Sequence, residues 1–184
     1  MHHERIILGI DPGTNIMGYG LIAIKNKDMS LIAAGIVNLE KIANHYLKLQ
    51  TIFDKTLGLI EQYHPDELAI EEPFFGKNVQ SMLKLGRAQG VAISAALHRQ
   101  LPVFGYSPRK IKQSVTGRGN ASKEQVAAML KATLNFENTS RYLDATDGLA
   151  VAVCHFYQNG KMNGDEKSFT GWKSFLSANP DRVG

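Results

Sequence analysis

The chain has 184 residues, 43% hydrophobic and 21% charged, which suffices for one buried core and is too few for two ordinary domains. A formal net charge of +4 and a pI of about 9.1 favour polyanionic partners without establishing nucleic-acid binding. One cysteine, Cys154, excludes an internal disulfide, and no apolar run is long enough for a signal peptide or a bilayer span, so we expect a soluble, unprocessed, cytoplasmic protein.

The first half of the chain opens with apolar runs of strand type. The first run ends at Asp11 before Pro12-Gly13, as a strand buried on both faces does at a tight turn. The next two flank the polar turn 26–28, which predicts an antiparallel meander. The predicted elements here are strands over 5–11, 18–25 and 29–38, a helix over 46–63 closed by His64-Pro65, and a strand over 67–72.

The second half alternates helix and strand. Its predicted elements are a helix capped by Asn78 that runs to Arg99, a strand over 102–106, a short helix over 109–115, a helix capped by Ser122 that runs to about 134, and a last helix over 141–158. This order predicts an α/β fold with a mixed five-stranded sheet flanked by helices, in one domain over 1–158. Periodicity fades in the polar tail 159–184, which is either disordered or a docking segment.

Acidic residues follow two of the predicted interior strands. Asp11 ends the first strand, where it either serves a site or accepts hydrogen bonds from the turn amides that follow it. Glu71 and Glu72 end the fourth, and adjacent strand residues face opposite ways, so only one of them can share a site with Asp11. The alternation alone does not choose between them.

A second pair of acids, Asp144 and Asp147, lies three residues apart on one face of the last helix. A bound cation would offset their repulsion, although acids in a first helical turn also interact favourably with the helix dipole. Strand ends and a helix on the same sheet can gather all these carboxylates at one edge, where hard oxygen ligands favour Mg²⁺, with Mn²⁺ as a substitute. The histidines lack ligand spacing and are interpreted as surface or core residues.

Four short motifs resemble the RuvC family of bacterial Holliday-junction resolvases, within the ribonuclease H-like nucleases. They occur in the family's order across about 5–158: Ile7-Leu8-Gly9-Ile10-Asp11-Pro12-Gly13 with Gly18-Tyr19-Gly20, Ala69-Ile70-Glu71 with Phe74 and Lys77-Asn78, Leu83-Lys84-Leu85-Gly86 with Arg87 and Gly90, and Asp144-Ala145-Thr146-Asp147. The resemblance implies a ribonuclease H-like fold. It also implies an endodeoxyribonuclease of recombination and DNA repair that nicks two opposed strands of a four-way junction as a homodimer.

By that resemblance the metal-binding and catalytic acids are Asp11, Glu71, Asp144 and Asp147, with Glu71 chosen over Glu72, and they suit two Mg²⁺ ions. Lys112 and Lys123 match family positions near the scissile phosphate, and Phe74 matches the aromatic that probes the junction. A branch-migration helicase complex is the implied partner. Other basic residues expected to contact DNA are Lys77, Lys84, Arg87, Arg109, Lys110 and Arg118.

Several alternatives stay open at this point. Gly86 and Gly90 on the long helix serve either a dimer contact or packing against the chain's own sheet. Phe75, next to Phe74, is assigned to a dimer or core contact. A sugar-kinase or actin-like ATPase also places an Asp and a Gly-Thr turn after its first strand, but 184 residues leave no room for its second domain. A junction-binding protein without catalysis is favoured only if the acids fail to converge.

Overall fold

The computed structural model describes residues 5–26, 28–73, 78–136 and 143–162, and only the backbone of 143–144 and 160–162. In this part of the chain, five strands and five helices form. The strands are β1 (Arg5–Asp11), β2 (Ile16–Lys25), β3 (Asp28–Asn38), β4 (Glu67–Glu71) and β5 (Val103–Tyr106). The helices are α1 (His45–Tyr63), α2 (Val79–His98), α3 (Pro108–Thr116), α4 (Lys123–Leu134) and α5 (Leu143–Met162).

The sheet has the strand order β3-β2-β1-β4-β5. β2 pairs antiparallel with β1 and β3, whereas β4 pairs parallel with β1 and β5. The predicted mixed five-stranded sheet, with its antiparallel meander, is therefore confirmed. Because β1 and β4 are parallel neighbours, their carboxyl ends meet at the same edge of the sheet.

Alternate residues of β1 and β4 face two separate cores. Leu8 and Ile10 pack with Leu68 and Ile70 on the face covered by α1 and α2. Ile7 and Ala69 belong to the opposite core, where α3, α4 and α5 lie. Odd-numbered residues of both strands thus face α5, and this parity includes the last residues of each, Asp11 and Glu71.

Glycines bring α5 into direct contact with the backbone of the sheet. A Cβ at Gly20 would lie 2.5 Å from Leu149 Cα, and one at Gly148 would lie 2.5 Å from Tyr19 Cα. A Cβ at Gly9 would collide with the Gly148 carbonyl oxygen. Larger residues here would push α5 away from β1 and β2, so this glycine seam fixes how close the helix lies to the carboxyl end of β1.

Most helix boundaries follow the sequence signals. Asn78 and Ser122 cap α2 and α4 as predicted, and Ser122 forms a complete capping box with Gln125. His64 ends α1 in the left-handed conformation. α3 begins earlier than predicted, because Ser107 caps it and Pro108 suits the first turn.

The last helix begins at Leu143 and runs to Met162 rather than ending at Gln158. Gly160 and Lys161 therefore continue the helix despite their loop-like composition. Residues 163–184 lie outside the described part of the chain. Most of the segment predicted as a polar tail, 159–184, is therefore not described. None of the helices described is both long and apolar enough to cross a bilayer.

Candidate active site

Asp11 and Glu71 lie side by side where β1 and β4 end. The register pairs Ile10 with Ile70, and each acid is the next residue of its strand. Both point to the α5 face, and both line one cleft of about 260 Å³. Glu71, and not Glu72, lines this cleft with Asp11, in agreement with the resemblance.

Glu72 points the other way, as strand alternation requires. Its side chain is exposed and lies over Gly105, where a Cβ would stand 2.5 Å from the Glu72 carboxylate oxygen. Its backbone N–H donates to the Tyr106 carbonyl and extends the pairing with β5. Glu72 has a structural contact outside the cleft formed by Asp11 and Glu71.

The third acid of the cleft, Asp147, comes from α5. The glycine seam at Gly148 brings the first turns of this helix onto the end of β1, and Asp147 lines the cleft with Asp11 and Glu71. Asp144 lies one turn earlier on the same helix, but its side chain is outside the described set. The structure therefore brings together three of the four predicted acids and describes only the backbone of the fourth.

Two lysines line the same cleft from separate helices. Lys112 projects from the middle of α3, and Lys123 from the first turn of α4. The Lys123 Nζ donates to Asp147 Oδ2 at 2.6 Å. The remaining walls are Pro108, Ile111, Val126 and Ala150.

The carboxylates disturb one another electrostatically. The pKa of Glu71 is raised from 4.5 to about 8, chiefly by burial and then by the negative charges of Asp11 and Asp147. Lys123 and Lys112 act in the opposite direction without cancelling the shift. Glu71 is thus mostly protonated at neutral pH unless a further positive charge enters the cleft.

These residues fit divalent metal ions of the hard type. The donors are carboxylate oxygens, which Mg²⁺ and Mn²⁺ prefer, and the raised pKa of Glu71 marks the deficit of positive charge that such an ion would correct. Within the described residues, no three acid, histidine or cysteine side chains are arranged ready for coordination. Asp147 is engaged with Lys123, and the Asp144 side chain is not among those described.

Two further cavities adjoin the cleft. One, of about 200 Å³, shares Asp11, Glu71 and Pro108 with it and extends past Glu72 and Pro73 to Leu85 of α2. The other, of about 650 Å³, shares Pro108 and Lys112 and extends to Arg109, Gly119 and Asn120. Together they make a trench that runs from α2 across the carboxylates to the loop between α3 and α4.

The other predicted DNA contacts are distributed unevenly. Arg109 lies in the trench, with its side chain packed over Gly119. Lys84, Arg87, Lys110 and Arg118 are exposed but do not line it. Phe74 and Lys77, with Phe75, lie outside the described residues. Leu85, Gly119 and Asn120 also line the trench and were not predicted from the sequence as site residues, although Gly119 and Asn120 belong to the predicted loop beside Lys112.

This sheet order, with acids from two adjoining parallel strands and from a helix laid over them, defines the protein as a ribonuclease H-like nuclease. The match to a family model is specific: residues 7–155 match "Crossover junction endodeoxyribonuclease RuvC". The chain belongs to the RuvC family of crossover junction endodeoxyribonucleases.

Relatives and a solved structure agree with this assignment. The RuvC of Cytophaga hutchinsonii is 62% identical, over 98% of this chain and 88% of its own, and that of Bacteroides fragilis is 59% identical, over 98% and 96%. The solved structure of Thermus thermophilus RuvC in complex with Holliday junction substrate matches with a TM-score of 0.79 at 29% identity. That match covers 86% of this chain and 96% of the other.

Proposed function

We propose that this endonuclease acts on four-way DNA junctions with Mg²⁺, or Mn²⁺ in its place, bound by Asp11, Glu71, Asp144 and Asp147. The observation that carries the proposal is the convergence of Asp11, Glu71 and Asp147 in one cleft, where their mutual repulsion and burial raise the pKa of Glu71 to about 8. Strongly shifted pKa values of this kind are concentrated at functional sites, and a bound cation would favour the ionised carboxylate. Two ions per site suit four carboxylates.

Bound divalent cations would stabilise negative charge on the entering and leaving oxygens of the phosphodiester. The chain itself supplies the rest. The parallel register of β1 and β4 holds Asp11 and Glu71 on one side of the cleft, and α5 presents Asp147 beside them. This rigid placement on strands and a helix lets the acids bind and orient groups without reorganisation.

The lysines act on the phosphate. Lys112 lies in the cleft with the acids, where its ammonium group can donate to a phosphate oxygen and stabilise the pentacovalent transition state. Lys123 holds Asp147 through its 2.6 Å ion pair and is near enough to the same cleft to approach the leaving group. Both lysines are therefore proposed as catalytic residues.

Junction DNA would enter along the trench. Arg109 is the best placed of the basic residues to bind a phosphate next to the scissile one, because it lines the cavity that shares Lys112 with the cleft. Contacts from Lys77, Lys84, Arg87, Lys110 and Arg118 would add affinity that depends on salt rather than on sequence.

Phe74 is proposed to stack on an unpaired base at the junction centre, a contact worth roughly 1 to 3 kcal/mol. It follows Glu71, the last residue of β4, by three positions in the sequence. Phe74→Ala should abolish the change of 2-aminopurine fluorescence on binding. If the variant shows the same fluorescence change on binding as the wild type, Phe74 does not stack on the base.

A homodimer that contacts a branch-migration helicase complex completes the proposal. On α2, a Cβ at Gly86 or at Gly90 would meet no atom within 4 Å, so neither glycine packs against the chain's own sheet. Val79 and Leu83 on the same helix are more than half exposed. Among the described residues, these features support α2 as the dimer contact over internal packing.

The test compares three substrates. With Mg²⁺, the protein should nick a four-way junction in two opposed strands, leave a linear duplex of the same sequence intact, and not hydrolyse ATP. Asp147→Asn is the matched inactive variant, since it keeps the side-chain volume and removes the charge. Cleavage without a divalent cation, or equal cleavage of duplex and junction, would contradict the proposal.

A further inference from the structure

A second polar cluster lies in the second half of α5, beside the amino-terminal ends of β1 and β4. His155 on α5 is fully buried. Its Nε2 lies 2.7 Å from Glu67 Oε2 on β4, and its Nδ1 lies 2.6 Å from the Tyr106 hydroxyl on β5. Arg5 on β1 completes the cluster with an ion pair of 2.8 Å to the same Glu67 oxygen.

The contacts of this cluster are consistent with one tautomer of His155, whose Nε2 also lies 3.0 Å from Asn159 Nδ2. Nε2–H donates to the Glu67 carboxylate, and Nδ1 accepts from the Tyr106 hydroxyl, so a neutral imidazole satisfies both partners. Phe104 packs against the ring with centroids 4.5 Å apart, and Asn159, one turn further along α5, also reaches Glu67 Oε2 at 3.5 Å. Three strands, β1, β4 and β5, are thereby joined to one helical position.

The glycine seam explains why α5 needs such a contact. Gly9, Gly20 and Gly148 permit close approach, but they present no side chains that interlock. Where α5 lies on these glycines, the packing opposes sliding and rotation only weakly, and the apolar contacts of Leu149, Val151 and Val153 around them have no fixed direction. Directional hydrogen bonds from a buried residue add a restraint on the position of the helix.

We propose that His155 is a positioning residue for the reaction: bonded to Glu67 and Tyr106, it fixes the axial and rotational position of α5, so that Asp147 faces Asp11 and Glu71. His155 is eight residues from Asp147, about 12 Å along the helix axis at 1.5 Å per residue. The strands that carry the anchor, β1 and β4, also end in Asp11 and Glu71. The strands β1 and β4 and the helix α5 therefore connect the His155 cluster to the acidic cleft.

The inference rests on the proposed function of the acids, and its consequence is specific. Loss of the cluster would displace Asp147 relative to the two strand acids, so the cleft would bind divalent cations less well. The fold and the binding of DNA to the trench would persist, because the glycine seam and both cores remain. A merely structural role would instead lower stability without a selective effect on the cleft.

The experiment measures Mn²⁺ binding by electron paramagnetic resonance without DNA, with junction binding in EDTA and thermal unfolding measured alongside. His155→Phe and Tyr106→Phe should each raise the dissociation constant for Mn²⁺ by about tenfold, as loss of supporting contacts does at metal sites. Glu67→Gln, whose amide oxygen can still accept from Nε2–H, should retain most of the affinity. Tyr106→Phe is the milder change and serves if His155→Phe does not fold.

Ile52→Ala is the control, because Ile52 is buried in the core on the opposite face of the sheet. It should lower the melting temperature and leave Mn²⁺ affinity unchanged. Equal loss of affinity in this control, or unchanged affinity in the His155 and Tyr106 variants, would overturn the inference. Asp147→Asn separates this failure from that of the proposed function: if it too keeps full Mn²⁺ affinity, Asp147 is no ligand.

Discussion

The two halves of α5 carry polar clusters of opposite character on the same strands. At the carboxyl ends of β1 and β4, Asp11, Glu71 and Asp147 add like charges in one cleft. At the amino-terminal ends, Arg5 and His155 meet a single carboxylate, Glu67. The first cluster has an excess of negative charge, whereas in the second the carboxylate is paired with Arg5 and His155.

The pKa values express this contrast. Burial and two neighbouring acids raise the pKa of Glu71 to about 8. Burial lowers the pKa of His155 while its hydrogen bond and the charge of Glu67 oppose that shift. Like charges are gathered where the substrate is to bind, whereas a carboxylate is paired with an arginine and a histidine where the helix is anchored.

Asp11→Asn should have the largest effect on cleavage, because it removes a negative charge from the acidic cleft. We expect junction cleavage in Mg²⁺ to fall by roughly 10³-fold, because a ligand of the cations is lost. Without metal, the variant should melt no lower than the wild type, since one source of repulsion on Glu71 has gone. A variant that cleaves at the full rate would show that Asp11 is not part of the catalytic site.

Lys112→Ala tests the positive side of the same cleft. Cleavage should fall roughly 100-fold, the cost of removing one donor to a transition-state oxygen, while junction binding stays within about threefold. Single-turnover rates and binding in EDTA separate the two effects. Parallel losses of cleavage and of affinity would make Lys112 a plain binding residue.

The positions of the acids at the strand ends could be predicted from the sequence, because they depend on local pattern. Apolar runs ending in an acid placed Asp11 and the Glu71-Glu72 pair at strand ends, and the structure shows why Glu71 is the partner. Glu71 follows Ile70 as Asp11 follows Ile10, and those two residues are paired in register. The register was the missing information, and only the family resemblance supplied it beforehand.

Contacts between residues far apart in the chain could not be predicted from the sequence. Glu67 and His155 are 88 residues apart, and nothing local in either segment indicates the bond between them. The same holds for Lys123 and Asp147, which lie 24 apart. His155 was interpreted only as a surface or core residue, because a lone histidine within an apolar helix carries no ligand spacing.

Arg109→Gln probes the trench beyond the cleft and should have a smaller effect. If Arg109 binds one phosphate, the slope of log affinity against log salt should become shallower by about 0.9. Gly119→Ala keeps the charge but should give a similar result, since its Cβ would lie 2.7 Å from Arg109 Cγ and displace that side chain.

Lys131→Gln, a charge removed near the end of α4 and away from the trench, is the matched control. Its slope should equal that of the wild type when junction binding is measured in EDTA at several salt concentrations. Equal slopes for Arg109→Gln and Lys131→Gln would mean that Arg109 contributes only to the general charge of the protein.

The smallest expected effect is on the pH dependence of stability without metal. Glu71 and His155 should change the stability in opposite directions as the pH rises. The folded pKa of Glu71 lies above its unfolded value, so its contribution is complete below pH 4.5 and is lost as the pH rises through about 8. The folded pKa of His155 lies below 6.5, so its contribution is present above that pH and is lost on acidification.

Thermal unfolding in EDTA between pH 5 and 8.5 separates these responses. Relative to wild type, Glu71→Gln should gain stability progressively towards the alkaline end, whereas Tyr106→Phe should lack any such trend there. Mg²⁺ should remove the alkaline loss in the wild type, because the cation favours the ionised carboxylate in the folded state. If Glu71→Gln and the wild type keep a constant difference across this range, Glu71 ionises normally and the cleft has no deficit of positive charge.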